Sequence, residues 1–171
     1  MNLPKILRRG FTLIELLVVI GILAILLTIV LIAINPARQF AQSNNTRRRS
    51  DINAMLNAIH QYSVDLRGDV TALGIPVDDP LVAGSEAAVI GSDVAGGQID
   101  ICDLLVPTYI SALPVDPQDG TDGTTPGTPV SDCTAAYNTA YSVVQSNIAT
   151  NIRITVAAPG AELGDVITVT R

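Results

Sequence analysis

FTLIELLVVIGILAILLTIVLIAI, residues Phe11 to Ile34, is apolar throughout except at Thr12, Glu15 and Thr28. As a helix, these 24 residues rise roughly 36 Å, enough to cross the hydrocarbon core of a bilayer with some tilt. A secretory signal has a shorter apolar region, followed by a small-residue cleavage site. Here the run exits into Asn35-Pro36-Ala37-Arg38 instead. Lys5, Arg8 and Arg9 precede it and favour a cytoplasmic N-terminus. Arg38, Arg47, Arg48 and Arg49 on the far side oppose that orientation, so charge bias alone does not decide it.

The remainder of the chain is different in kind. Apolar residues make up 48% of the 171 residues, yet aromatics only 4%, which points to one long apolar block rather than a rich core throughout. Residues 1–50 hold seven cations against Glu15 alone, and the rest holds three arginines against fifteen carboxylates. An acidic body beside a basic membrane-proximal stretch suits a chain that meets a bilayer and gives no basic patch for nucleic acid.

Glu15 is the anomaly in the apolar run. A carboxylate in a membrane helix costs about 2.5–3.5 kcal/mol at mid-bilayer and less near the interface, and it is a functional candidate by default. Cleavage between Gly10 and Phe11 would place a new amine one turn before it, in the same chain or in a neighbouring copy. The plainer alternative is an interfacial Glu reaching water.

Arg8-Arg9-Gly10 followed by FTLIELLVVIGILAIL resembles the type III signal of type IV prepilins and type II secretion pseudopilins. The resemblance covers the basic leader, Gly10, Phe11, Glu15 and the uninterrupted apolar helix. It implies cutting after Gly10 by prepilin peptidase, a membrane aspartyl enzyme that also methylates Phe11. It further implies that Glu15 pairs with the terminal amine of an adjacent subunit. The implied partners are that peptidase, the lipid bilayer before assembly, an inner-membrane assembly platform and copies of the chain itself. The implied location is a single-pass membrane precursor with its head outside the cytoplasm, then an extracellular or periplasmic filament.

Pro36 is read as a kink in a helix that continues, because Ile52, Met55, Leu56, Ile59, Ser63 and Leu66 recur at helical spacing up to a stop at Gly68. The alternative is a true helix end and a loop. Arg47, Arg48 and Arg49 read as a solvated or headgroup-contacting face, or as partners for carboxylates of other subunits. His60 reads as a core-edge or surface side chain.

Residues 69–98 show no sustained period and read as a long loop with one short strand or turn. Ile101 to Pro117 allows only short helical turns around Pro107 and Pro114. Tyr141–Gln145, Ile152–Ala157 and Val166–Thr170 read as antiparallel strands, with Ile152, Ile154 and Val156 on the buried face. The fold class is α+β: a long N-terminal helix, membrane-embedded and then amphipathic, on a small antiparallel sheet of about three strands. The segments are a leader (1–10), an apolar helix (11–34), its amphipathic continuation (35–68) and a globular head (69–171).

Leu105, Pro107, Tyr109, Leu113, Pro114, Asp116 and Pro117 resemble a segment of major pseudopilins that precedes a loop often binding calcium. The loop here offers Asp119, Asp122 and Asp132, and with Asp116 supplies oxygens of the kind calcium takes. Asp116, Asp119 and Asp122 are the candidate calcium ligands, though an EF-hand spacing is missing and an ion-free acidic turn explains the same residues. No cofactor is required. Cys102 and Cys133 could close a loop of about 30 residues, worth roughly 3–4 kcal/mol, or remain two thiols.

The expected function is therefore a structural filament subunit. A nucleophile–base pair, a phosphate loop and a metalloprotease motif are all missing from the sequence, so an enzyme is not expected. Two related alternatives remain: a major pseudopilin of a type II secretion system, or a minor pilin acting as an adhesion or DNA-binding module.

Overall fold

A computed structural model describes residues 10–78, 86–147 and 152–171. The basic leader residues Lys5, Arg8 and Arg9 and the middle of the 69–98 segment lie outside them. The chain divides into two compact units, one up to Phe40 and one spanning Ala41–Arg171.

The first unit is helical. Helix α1 runs from Leu13 to Ile34, and none of its side chains is buried. Among the described residues it is the helix long and apolar enough to cross a membrane by length and composition. Its one internal hydroxyl, Thr28, donates to the carbonyl of Ala24 at 2.8 Å, so no polar group is left open there. The helix stops at Asn35, which adopts the left-handed conformation at φ 47°. Helix α2, Pro36–Asp65, starts at the next residue. Pro36 therefore occupies a first helical position, where its missing N–H costs nothing, rather than kinking one continuous helix. Asn35 serves both ends: its carbonyl accepts from the Arg38 and Gln39 amides at 3.1 and 3.4 Å.

The second unit is the head. Within it α2 buries Ile52, Met55, Leu56, Ala58, Ile59 and Tyr62. Tyr62 rather than Ser63 closes this stripe, and Leu66 lies past the helix end with 43% of its surface exposed. Gly68, at φ 94°, sends its amide back to the Ser63 carbonyl at 2.7 Å and stops the helix as its sequence position suggests. The same stripe extends toward the N-terminus through Ala41, Asn45 and Arg48, all buried. Two polar residues thus occupy core-facing positions.

Five strands form one sheet: β1 (Val77–Asp78), β2 (Ala88–Gly91), β3 (Asn138–Ser146), β4 (Ile154–Ala158) and β5 (Ile167–Thr170). β3 pairs antiparallel with β4, and β4 with β5, giving the three-stranded meander read from the sequence. β3 also pairs with β2, antiparallel, and with the two residues of β1, in parallel. These added strands come from the segment read as a loop; both are short, and periodicity does not register at that length. In β4 the inward residues are Ile154, Val156 and Ala158, whereas Ile152 precedes the strand and is 47% exposed. The one-turn helix α3, Cys102–Leu105, is the only helix in the proline-broken segment, and Cys102 is joined to Cys133 by a disulfide with Cα atoms 5.5 Å apart.

β3 carries a bulge. Ala140 sits at φ 58°, and the pairing with β2 shifts register between Val89 and Gly91. The Asn138 side chain accepts from the Ala140 amide at 2.8 Å and holds the turn of backbone. Thr139, Tyr141 and Val143, at alternate positions on either side of the bulge, are all fully buried. A left-handed alanine crowds its Cβ at a cost of roughly 1–2 kcal/mol, partly offset in a glycine by greater unfolded-state entropy. Ala140→Gly should therefore raise stability by about 0.5 kcal/mol, read as a shifted denaturation midpoint of the detergent-solubilised chain. A clear loss of stability would mean that the bulge does not strain Ala140.

Candidate functional site

The first candidate is the start of α1. Gly10 and Phe11 precede the helix, and Phe11 is 87% exposed. Thr12 is the N-cap: its hydroxyl oxygen accepts from the Glu15 amide at 3.3 Å, and Glu15 Oε2 accepts from the Thr12 amide at 2.9 Å. The Thr12 hydroxyl also donates to the same carboxylate oxygen at 2.8 Å. This reciprocal capping box satisfies donors that a helix terminus leaves open, and it puts negative charge at the positive end of the helix dipole. Glu15 thus has a local partner within its own chain. The sequence signal was available, since Thr12-Leu13-Ile14-Glu15 is a capping-box pattern, but reading Glu15 only for its membrane cost passes over it. Ile14, Val18 and Val19 stand beside Glu15 on the exposed helix surface, with Phe11 at its end. A carboxylate held in place there, framed by apolar side chains and one turn from Phe11, can receive a single cation.

The second candidate lies inside the head, where the structure departs most from the sequence reading. Arg48 is neither solvated nor at a headgroup face; its side chain is fully buried. All five N–H donors of the guanidinium find acceptors. Nε and NH2 form a fork on Asp116, at 2.6 and 3.0 Å. NH1 donates to Asn45 Oδ1 at 3.1 Å and to Glu162 Oε2 at 2.9 Å. NH2 also donates to Gln118 Oε1 at 3.2 Å. Planarity and a fixed fork suit Arg to such a site, where lysine would leave acceptors unmet. Burial pushes the Asp116 carboxyl up, but Arg48 and the Gln118 and Asp119 amides outweigh it and hold that carboxyl below its ordinary value.

Neighbouring groups extend this clasp. Asn44 and Asn45 bind Glu162 by side chain and backbone, and Arg49 pairs with Asp165 at 2.8 Å. Arg47 reaches the Gly127 carbonyl at 2.9 Å and lies 3.7 Å from Asp51. Asp51 in turn accepts from the buried Tyr141 hydroxyl at 2.9 Å. The arginine run therefore meets carboxylates of its own chain. In the sequence an arginine triplet looks the same whether solvated or buried, and only the acceptors 68 and 114 residues away distinguish them.

Of the carboxylates named as calcium ligands, Asp116 and Asp122 are engaged within the head. Asp116 is occupied by Arg48 and two amides. Asp122 caps its own turn, accepting from the Thr124 and Thr125 amides at 2.8 and 2.7 Å, which lowers its carboxyl. Asp132 does the same for Thr134. Asp119 is exposed. Among the described residues, no three Asp, Glu, His or Cys side chains gather closely enough to hold a metal ion. His60 sits at the core edge, its Nε2 buried without a hydrogen-bond partner.

Comparison with known families adds one finding. Residues 7–31 match the prokaryotic N-terminal methylation motif, the signal of type IV prepilins and pseudopilins. The chain carries that signal on a helix long and apolar enough to cross a membrane by length and composition. No curated protein and no solved structure matches the chain.

The clasp yields a stability prediction. Removing one partner of a buried ion pair strands the other, so Arg48→Met should cost about 3–5 kcal/mol. Asp116 has a lowered folded value, so its contribution is complete above its unfolded value of about 3.9 and is lost as pH falls through the folded value. Asp51 acts in the opposite sense, because burial raises its carboxyl despite the Tyr141 and Arg47 contacts. Asp116→Asn should therefore be less stable at neutral pH and show a flatter loss of stability on acidification. Denaturation midpoints between pH 7 and 2 would check this, and parallel curves for wild type and Asp116→Asn would refute it.

Proposed function

We propose that the chain is a precursor of a repeating structural subunit in a type IV pilus-like filament. Prepilin peptidase cuts it after Gly10 and methylates Phe11, and α1 then passes from the bilayer into the core of the fibre. The matched methylation motif carries this reading, together with a 22-residue apolar helix none of whose side chains is buried among the described residues. Such a helix is stable only in lipid or against other copies, since exposing each large apolar side chain to water costs about 1.5–3 kcal/mol.

Glu15 takes the central role in this account. Before assembly the capping box satisfies it within the chain. In the fibre, the amine of Phe11 from a neighbouring copy pairs with it and sets the axial register. Lys5 is the only lysine in the sequence, so removal of the leader leaves the Phe11 amine, secondary once methylated, as the only aliphatic amine in residues 11–171. No side-chain amine of another copy then competes for Glu15.

A second reading is a major pseudopilin of a type II secretion system, favoured by the Leu105-to-Pro117 segment. That segment contributes Leu105 and Leu113 to the head core and Asp116 to the clasp, so its resemblance follows head architecture. Both readings use the same assembly chemistry.

Glu15→Ala tests the role directly. Cleavage and membrane insertion should remain near wild type while the yield of sheared fibres falls at least tenfold. Normal fibre yield in that variant would remove Glu15 from the account.

A further inference from the structure

The loop joining β4 to β5 exposes apolar side chains on a strained turn. Its tip, Glu162-Leu163-Gly164-Asp165, is closed by the Asp165 amide donating to the Glu162 carbonyl at 3.2 Å. Both central residues are left-handed, Leu163 at φ 61° and Gly164 at φ 74°. Glycine takes that conformation freely, whereas the Cβ of a leucine is crowded against its own backbone. Burial could offset the strain, but Leu163 is 54% exposed and the nearby Val166 is 87% exposed. Neither side chain is spent on the head's own core.

The loop is nevertheless held firmly. Glu162 accepts from Asn44 and Arg48, and its amide donates to Asn45. Asp165 accepts from Asn45 and Arg49. Strained positions persist where the surroundings over-determine them, and they cluster at binding clamps. Apolar side chains on a turn that is already fixed lose little freedom on docking.

We propose that Leu163 and Val166 form a docking knob for a second copy of this chain, seated on that copy's apolar helix α1. This rests on the filament reading above and names a contact within it. Two features select the occupant. First, α1 offers an apolar surface with Glu15 as its one charged residue and leaves every side chain exposed for cover. Second, each carboxylate flanking the knob is bonded to an arginine of α2, Glu162 to Arg48, which Asp116 shares, and Asp165 to Arg49, so the charge of the tip is drawn to α2 and away from Leu163 and Val166. Two apolar side chains also suit the grooves between side-chain ridges on a helix. The anchoring residues Asn44 to Arg49 belong to the part of α2 at which the chain enters the head. In a stack of equivalent subunits, a knob of one copy on the helix of the next is a head-to-tail contact that repeats without closing, as a fibre requires.

Full-length chain carrying p-benzoylphenylalanine in place of Val166 would be irradiated in filament-producing cells and its cross-links mapped by mass spectrometry. Covalent dimers joined to residues 11–34 of a second copy are expected. Cross-links confined to the same chain, to another head or to lipid would overturn the proposal. In parallel, the double variant Leu163→Gly/Val166→Ser should lose at least tenfold in fibre yield with leader removal intact. Leu163→Gly alone should melt no lower than wild type, which separates docking from misfolding. A double-variant yield within twofold of wild type also overturns the knob. If wild type itself is cleaved yet forms no fibres, the filament reading fails and the knob falls with it.

Discussion

The account depends on one imbalance: helix α1 is almost wholly apolar, and among the described residues none of its side chains is buried. An apolar helix of that length suits the hydrocarbon core of a bilayer. The capping box at Thr12 and Glu15 is consistent with that setting. It satisfies the helix terminus locally, within residues 12 to 15.

The head meets a different constraint. Its sheet is small, with a meander on one side of β3 and short strands on the other. Irregular segments make up much of the remainder, and two kinds of tie fasten them. The Cys102–Cys133 disulfide is covalent, and the Arg48 clasp is electrostatic and fully hydrogen-bonded. The clasp joins α2 to the loop after Asp116 and to the β4–β5 loop. Buried ion pairs of this kind contribute little net stability relative to a well-packed apolar substitute, but breaking one is costly. Its structural effect is positional: it fixes which loops lie against the start of the head helix.

Much of this was legible in the sequence, for identifiable reasons. The apolar run, the stop at Gly68 and the strands β3 to β5 all carry a strong period or a turn signal. The short strands β1 and β2 carry neither. Pro36 was assigned to the right place but the wrong event, because Asn35 can take a left-handed conformation that ends one helix and starts another. Within the arginine triplet, Arg47 and Arg49 are exposed, as a solvated face requires, and Arg48 alone departs, because its burial depends on acceptors far away in the chain. Asp116 was picked out for its oxygens, and the structure gives them to a guanidinium. The capping box is written plainly at residues 12 to 15, where the same Glu15 that carries a membrane cost also closes the helix terminus.

The most direct measurement is the intact mass and N-terminal residue of the chain recovered from sheared fibres of cells that hold their own peptidase. The expected result is a chain beginning at N-methylated Phe11 as the main component of those fibres. A chain beginning at Met1, one cut after Ile34, or its absence from the fibres would contradict the filament account and leave an anchored or secreted domain.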